Sequence, residues 1–569
     1  MKIFYFSSTH WDREWYQSFQ GFRKRLVEVA RGICDTMEKD TSFGTFHFDG
    51  QSIVLEDIAE VDPATDKRLR KLIKDRRILI GPWYVMPDEF LVSGEAMIKN
   101  LRVGHALSAE YDTEAWKFGY VCDTFGHIAQ MPQILKGFGI DQALLGRGTN
   151  EDTTQAFFRW KSLDGSEVSV VKIPDYYGYG DFAMQVFGFD DTDINEKEFS
   201  EKAKKYIDEK LVKQNFPVLI LMDGIDHIPI HPRTPIFLTW LKKLYPQHEF
   251  LHTNLEEAGK ALEPVWDTLQ VKVGELIEPA KNTAPYLHLI TNTLSSYYPL
   301  KRWNDICESQ LERIVGPLMV QRNRSGAQDM NGFVELAWRY LLKTHAHDSI
   351  DGCAIAQVHT DMEYRFSQCS QLISELIDDE LKRTEERLDE KGRRKKLIAE
   401  DELDPSAEYV QNIFNALPFP REEVIDLKIQ LPEDYKTRYA EPFGYQSLPS
   451  FILLDEQGHE LPYKLVSHAR SKIKRVFNQA GRELEEVTVN TKVYLKPMSW
   501  TTIRVIPAQE SVRYFTSLKI GTHKAQTETL GFTIENDGTL TLEDRRSGKT
   551  FSSQPICCRW GNWRWLVPC

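Results

Sequence analysis

From residue 1 to about 265, short apolar, β-prone runs alternate with longer amphipathic segments, and that alternation leaves few folds open. Runs at 3–6, 77–80, 117–121, 143–145, 168–171 and 218–222 have the length and composition of strands. Segments 21–39 and 197–213 carry apolar residues at helical spacing. Strands and helices in alternation predict an α/β domain with a mostly parallel sheet. From about 270 to 388 the pattern turns helical: 303–322, 333–343 and 372–388 space their apolar residues by three and four, which predicts a bundle. The charge run from Glu390 to Lys396 belongs to an expected linker. Beyond 408, proline-bounded runs at 424–431, 487–495, 501–506 and 539–542 predict an antiparallel β-sandwich. The expected division is an α/β catalytic domain over 1–265, a helical bundle over 270–388 contributing to the active site, a linker over 389–407 and a sandwich region over 408–569.

The 569 residues exceed what one core can organise. A net charge of −13 weighs against nucleic acid and against anionic membrane surfaces as partners. The N-terminal apolar run is too short for a secretory signal, and no run approaches the roughly 20 residues of a membrane span. Eight cysteines, five scattered and three bunched at 557, 558 and 569, form no paired framework, so a cytoplasmic location is expected. Oligomeric state is not legible, and a homo-oligomer stays open.

Four segments place acids and imidazoles where they can act together. The first is His10-Trp11-Asp12-Arg13-Glu14-Trp15, after the run 3–9. Residues two apart in an extended backbone point the same way, and an imidazole beside a carboxylate suits a zinc-like cation. In the second, Asp123 closes the run 118–121; taken alone it reads equally well as a helix N-cap. In the third, the run 219–222 leads into Asp223-Gly224-Ile225-Asp226, where a plain Asp-Gly turn competes. The fourth, from Thr344 to Gly352, ends a predicted helix and holds His347 and Asp348, with an interior histidine as the simpler alternative. Ligands of open α/β sheets bind beyond the carboxyl ends of the strands, and three of these segments lie at such ends.

Taken together, His10-Trp11-Asp12-Arg13-Glu14-Trp15, Asp123-Thr124-Phe125-Gly126-His127 with Pro132, and His347-Asp348-Ser349-Ile350 resemble family 38 glycoside hydrolases, the retaining, metal-dependent α-mannosidases. The stretch from Gly81 to Phe90 is similar to the bacterial branch, which includes mannosylglycerate and phosphomannosyl-glycerate hydrolases. The resemblance implies that His10, Asp12, Asp123 and His347 hold a divalent ion, Zn²⁺ or another, with positions open for two vicinal hydroxyls of mannose. It implies Asp123 as nucleophile and Asp226 as acid and base, with Asp223 and Asp348 in reserve. Trp15 and Phe125 would face the sugar, Arg147 would steady the nucleophile, and Asp348 would accept sugar hydroxyls. The substrate would be a small or phosphorylated α-mannoside.

Two departures, Thr124 where eukaryotic members carry proline and Ala346 where the family usually has histidine, agree with the bacterial branch. The abrupt change of composition over 557–569, rich in Cys and Trp, together with a short β region, suggests a truncated or frameshifted sandwich. Two other readings stay open: a metal-dependent carbohydrate deacetylase, in which metal-bound water attacks, and a truncated remnant that binds metal or mannose without turnover.

Overall fold

The computed structural model describes residues 1–188, 193–213, 216–279, 288–387, 409–432, 435, 437–440, 447–473 and 482–555. The expected linker 389–407 and the unusual tail 557–569 lie outside the described residues. Two compact units emerge, Met1–Glu380 and Leu381–Cys569.

The strands of the first unit, in chain order, are β1 (Lys2–His10), β2 (Phe46–Phe48), β3 (Ile78–Leu79), β4 (Gly119–Val121), β5 (Gln142–Leu145), β6 (Phe157–Lys161), β7 (Glu167–Lys172), β8 (Val218–Asp226), β9 (Glu249–His252) and β10 (Gln270–Val273). β1 pairs with β8 along its whole length, from Lys2 opposite Val218 to His10 opposite Asp226. Its other edge is shared between β9 and β2, with β3 beyond β2, and every pair in this sheet is parallel. A second sheet runs β4-β5-β7-β6-β10, with β6 and β7 as its antiparallel pair. The mostly parallel sheet structure expected from the sequence is therefore what forms.

Period-two alternation decides where each strand side chain goes. Phe4 and Phe6 of β1 and Ile220 and Met222 of β8 enter a core shared with Tyr120, Leu144 and Val171 of the second sheet. Ile3, Tyr5, Leu219 and Leu221 face the other way, against helices Asp181–Val186, Glu196–Lys213 and Thr234–Leu244. The far face of the second sheet packs Met97 and Leu101 of helix Gly94–Glu110 and Ile134 and Leu135 of helix Met131–Gly137. Each large side chain so buried contributes roughly 1.5–3 kcal/mol. This layering fixes the direction in which β1 and β8 leave the core.

Among the described residues of the first unit, four strands, 46–48, 157–161, 249–252 and 270–273, lie outside the expected runs. The last opens the stretch expected to be helical, but Gln270-Val271-Lys272-Val273 alternates with period two and pairs with β6. The expected helix over 303–322 is Tyr298–Gln310 joined to Gly316–Arg324 through a π-turn at Leu311–Val315. Helices Asn331–Leu342 and Ala356–Arg387 flank the short helix His347–Asp351. No helix among the described residues is long and apolar enough to cross a membrane.

In the second unit, strands Arg421–Pro432, Arg482–Leu495 and Tyr463–Ile473 make one antiparallel sheet. Strands Tyr409–Asn415, Ser499–Pro507 and Phe451–Leu454 belong to another. Leu427, Ile429, Val487 and Val489 of the first interlock with Phe451, Leu453, Ile503 and Val505 of the second, a sandwich core. A five-stranded antiparallel sheet follows, from Lys519–Gly521 to Lys549–Gln554.

Candidate active site

The parallel strands deliver their carboxyl ends to one place. His10 closes β1 and Asp12 follows it; Asp49 lies just past β2, Asp123 past β4, Arg147 past β5, and Asp226 closes β8. His347 arrives from the short helix, whose preceding residue, Ala346, bridges to Pro87. Its backbone N–H donates to the Met86 carbonyl at 3.0 Å.

Four side-chain atoms converge there. His10 Nε2 lies 2.9 Å from Asp12 Oδ1 and 3.8 Å from Asp123 Oδ2. His347 Nε2 lies 3.4 Å from Asp12 Oδ1 and 3.6 Å from Asp123 Oδ2. His10 Nε2, Asp12 Oδ1 and His347 Nε2 are buried, and none has a hydrogen-bond partner. Three orphaned polar atoms aimed at one point, within 4.8 Å of one another, are what a cation would satisfy. Two imidazoles with carboxylate oxygens suit Zn²⁺ among the divalent ions. The residues fit the metal that the sequence implied.

The electrostatics agree. Burial disfavours a charged His10, yet the Asp12 and Asp49 carboxylates outweigh it and hold its pKa well above the usual value. Burial likewise opposes the His347 imidazolium, but Asp348, Asp123 and Asp12 lift it to about 10. An excess of negative charge that draws protons onto imidazoles will equally draw a metal cation. Asp12 is shaped by its second oxygen, 3.2 Å from His227 Nε2, and its backbone N–H donates to the same nitrogen at 3.1 Å.

Asp123 is the most open of the four donors, its side chain 16% exposed against 1–3% for the others. Arg147 donates to Asp123 Oδ1 from Nε at 2.9 Å, and its Nη2 lies 2.7 Å from the same oxygen. Burial alone would raise the Asp123 carboxyl; Arg147, His347 and His10 instead bring it down to about 2. Phe125 lies between two neighbours, its ring 5.8 Å edge-on from that of His347 and 5.1 Å from the Arg147 guanidinium carbon.

Asp226 faces the same way as His10, its register partner, and accepts a hydrogen bond from the Tyr179 hydroxyl. Burial raises its carboxyl above the ordinary range, and the charges on Asp12 and Asp123 add to the rise. Asp223 is not brought to this cluster. Three residues earlier on the same strand, it faces the opposite layer and accepts from the Tyr5 hydroxyl at 2.7 Å. Asp348 is buried beside His347, accepts from Cys353 Sγ at 3.0 Å, and is raised to about 8 by burial and by Asp12. Trp15 is half-buried with its ring 5.0 Å from that of Tyr16, and its carbonyl accepts from Ile355.

Several residues that sequence reasoning passed over stand at the site. Asp49 Oδ2 lies 2.9 Å from His10 Nδ1, and Cys122 Sγ lies 3.3 Å from the same nitrogen. Tyr179 sits with its ring 5.2 Å from that of His10. Asp49 follows a three-residue strand too short to read from sequence, and Tyr179 lies on the 3-10 turn Gly178–Gly180, so neither carried a local signal; His227 and Cys122 adjoin residues already singled out. Other motif residues turn out to be anchors: Arg13 pairs with Asp57, Glu14 with Arg365, and His127 with Glu89.

Comparison with known proteins gives a consistent picture. Residues 1–252 match the model of the glycosyl hydrolases family 38 N-terminal domain, and residues 288–383 that of the alpha mannosidase middle domain. A Halalkalibacterium halodurans protein described as "Putative mannosylglycerate hydrolase" is 32% identical over 64% of this chain and 40% of its own length. Alpha-mannosidase 2C1 of Mus musculus is 27% identical over 62% of this chain and 32% of its own. The chain thus spans well under half the length of these curated relatives. The crystal structure of an alpha-mannosidase from Enterococcus faecalis superimposes with a TM-score of 0.78 at 25% identity, covering 97% of this chain and 61% of that one.

Proposed function

Because this chain belongs to glycoside hydrolase family 38, we propose that it is a retaining, metal-dependent α-mannosidase acting on small or phosphorylated α-mannosides in the cytoplasm. The observation that carries this reading is the convergence of the orphaned His10 Nε2, Asp12 Oδ1 and His347 Nε2 beside Oδ2 of Asp123. These four residues would hold Zn²⁺, which when bound orients and polarises two vicinal hydroxyls of the sugar.

Retention asks for a nucleophilic carboxylate and an acid roughly 5–5.5 Å away. Asp123, kept ionised by Arg147 and the two imidazoles, attacks the anomeric carbon and forms a glycosyl ester. Asp226, whose carboxyl is held above the ordinary range by burial and by Asp12 and Asp123, gives its proton to the departing oxygen. Once ionised, it takes a proton from the water that hydrolyses the ester and is restored. The Tyr179 hydroxyl, bonded to Asp226 Oδ1, fixes the rotamer of that carboxyl and leaves its other oxygen for the leaving group. Phe125 and Trp15 supply apolar faces for the sugar C–H surface, and Asp348 takes hydroxyls.

The test is hydrolysis of an aryl α-mannoside before and after dialysis against a chelator, with Zn²⁺ added back. Turnover lost on dialysis and restored by metal supports the reading. Acetate release from an acetylated sugar without mannoside cleavage would replace it by a deacetylase, and metal binding without any turnover would reduce it to a binding protein.

A further inference from the structure

Both imidazoles of the site are oriented alike. Each turns Nε2 toward Asp12 and Asp123 and turns Nδ1 back toward an acceptor: Asp49 Oδ2 at 2.9 Å for His10, the Met86 carbonyl at 3.4 Å for His347. The residues that supply these acceptors, Asp49 and Met86, are themselves joined by one side chain. Gln51 Nε2 donates to Asp49 Oδ2 at 2.8 Å and to the Trp11 carbonyl at 2.9 Å, while Gln51 Oε1 accepts the Met86 N–H at 3.0 Å.

We propose that Gln51 is a positioning residue, a strut that acts through Asp49 and Met86 to set the spacing and tilt of His10 and His347 around a shared divalent cation. The inference rests on the metal-dependent reading above. An amide is suited to this task because it offers donor and acceptor at once without adding charge. A carboxylate there would repel Asp49, and an apolar side chain would leave Asp49 and Met86 unjoined.

The surroundings hold this arrangement firmly. Gln51 is buried, 2% exposed, and bridges to Trp83. Asp49 and Gly50 both adopt left-handed backbone, φ 52° and 65°, which turns the Asp49 carboxylate back toward β1. A Cβ at Gly50 would stand 2.8 Å from Tyr120 Cβ, so glycine is required there. The turn is tied down by Trp83 N–H donating to the Gly50 carbonyl and Ser52 N–H donating to the Trp83 carbonyl. Trp11 N–H donates to Asp49 Oδ2 at 2.8 Å and Cys122 Sγ to Oδ1 at 3.3 Å, so both oxygens are held. A carboxylate so fixed, 2.9 Å from His10 Nδ1, orients the ring with Nε2 toward Asp12 and Asp123, the usual way an outer partner sets a ligating histidine.

The test uses the full chain with metal removed. Zinc affinity is measured by competition with a chelating dye, and the visible spectrum is recorded after Co²⁺ loading, for wild type, Gln51→Glu, Gln51→Met and Asp49→Asn. Asp49→Asn keeps the shape of the turn and serves if the Gln51 variants fail to fold. The expected result is a metal dissociation constant raised roughly 10- to 100-fold with a shifted Co²⁺ band, while circular dichroism of the metal-free chain stays as in wild type. Folded variants that bind zinc as tightly as wild type with an unchanged Co²⁺ spectrum would overturn the strut. A wild-type chain that binds no metal would overturn the metal-dependent reading itself, a distinct outcome.

Discussion

Asp123 divides its two oxygens between different partners: Oδ1 is held by Arg147 through Nε at 2.9 Å and Nη2 at 2.7 Å, and Oδ2 stands 3.6 Å from His347 Nε2 and 3.8 Å from His10 Nε2. The guanidinium neutralises one side of the carboxylate and fixes its rotamer, so the other oxygen is aimed. A lysine cannot reproduce this grip, because an ammonium is a single point of charge. Arg147→Lys is expected to lower kcat/KM by roughly 10- to 100-fold, the loss of about 1.5–3 kcal/mol of charged hydrogen bonding. Steady-state kinetics on an aryl α-mannoside checks it; a wild-type rate would contradict the assigned role.

Asp226 titrates in the opposite sense from Asp123. Its carboxyl is raised by burial and by Asp12 and Asp123, so it stays protonated to higher pH than a free aspartate. Activity should therefore decline as pH rises through that elevated value, the limb on which the acid is lost. Asp226→Asn should remove this limb and slow cleavage of an alkyl mannoside by roughly 10²- to 10⁴-fold. A dinitrophenyl mannoside, whose leaving group needs no proton, should lose less. Equal losses on both substrates would argue against Asp226 as the acid.

Much of this was legible in the chain. The parallel layers follow from the alternation of strand-length and helix-length apolar patterns, and β1 and β8 are apolar on both faces as strands buried on both sides must be. The same period of two separates Asp226 from Asp223: Ile220 and Met222 share a face with Asp226, whereas Leu219 and Leu221 share one with Asp223. That count could have set Asp223 aside from sequence alone. Gln51 and Asp49 could not be found this way. Their part depends on a left-handed turn after a three-residue strand and on a contact with Met86, 35 residues further along the chain. β10 was missed because a four-residue edge strand carries too short a pattern to compete with the helical stretch after it.

The motif around His10 also carries the site's mechanical anchor. Glu14 is buried and accepts from both terminal nitrogens of Arg365, with Ser349 Oγ donating to it at 2.8 Å. The loop after β1 is thus tied to helix Ala356–Arg387 and to the helix bearing His347. Removing one partner leaves a buried charge uncompensated, at a cost of roughly 3–5 kcal/mol. Arg365→Met should therefore destabilise the fold by that order in urea unfolding, and adding Glu14→Gln should recover part of the loss. A double variant no more stable than Arg365→Met would speak against the coupling.

A pH dependence of stability is built in away from the His10–Asp123 cluster. Glu308, which accepts the Ser93 N–H at 3.0 Å, is raised by burial from 4.5 to about 7. The fold prefers its protonated form. That contribution is fully present below about 4.5 and is lost as pH rises through 7, a change of roughly 3 kcal/mol. Urea unfolding of Glu308→Gln between pH 4.5 and 8 should show a flatter profile than wild type, with the variant relatively more stable at the alkaline end. Parallel profiles would contradict this.

A covalent bond between Asp123 and mannose can be trapped. The chain, loaded with Zn²⁺, is treated with a fluorinated α-mannosyl fluoride that keeps its 2- and 3-hydroxyls, then digested and mapped by mass spectrometry. One glycosyl adduct is expected, on the peptide containing Asp123 and on that residue. An adduct on another carboxylate, or turnover of an α-mannoside with inversion of the anomeric centre, would contradict it.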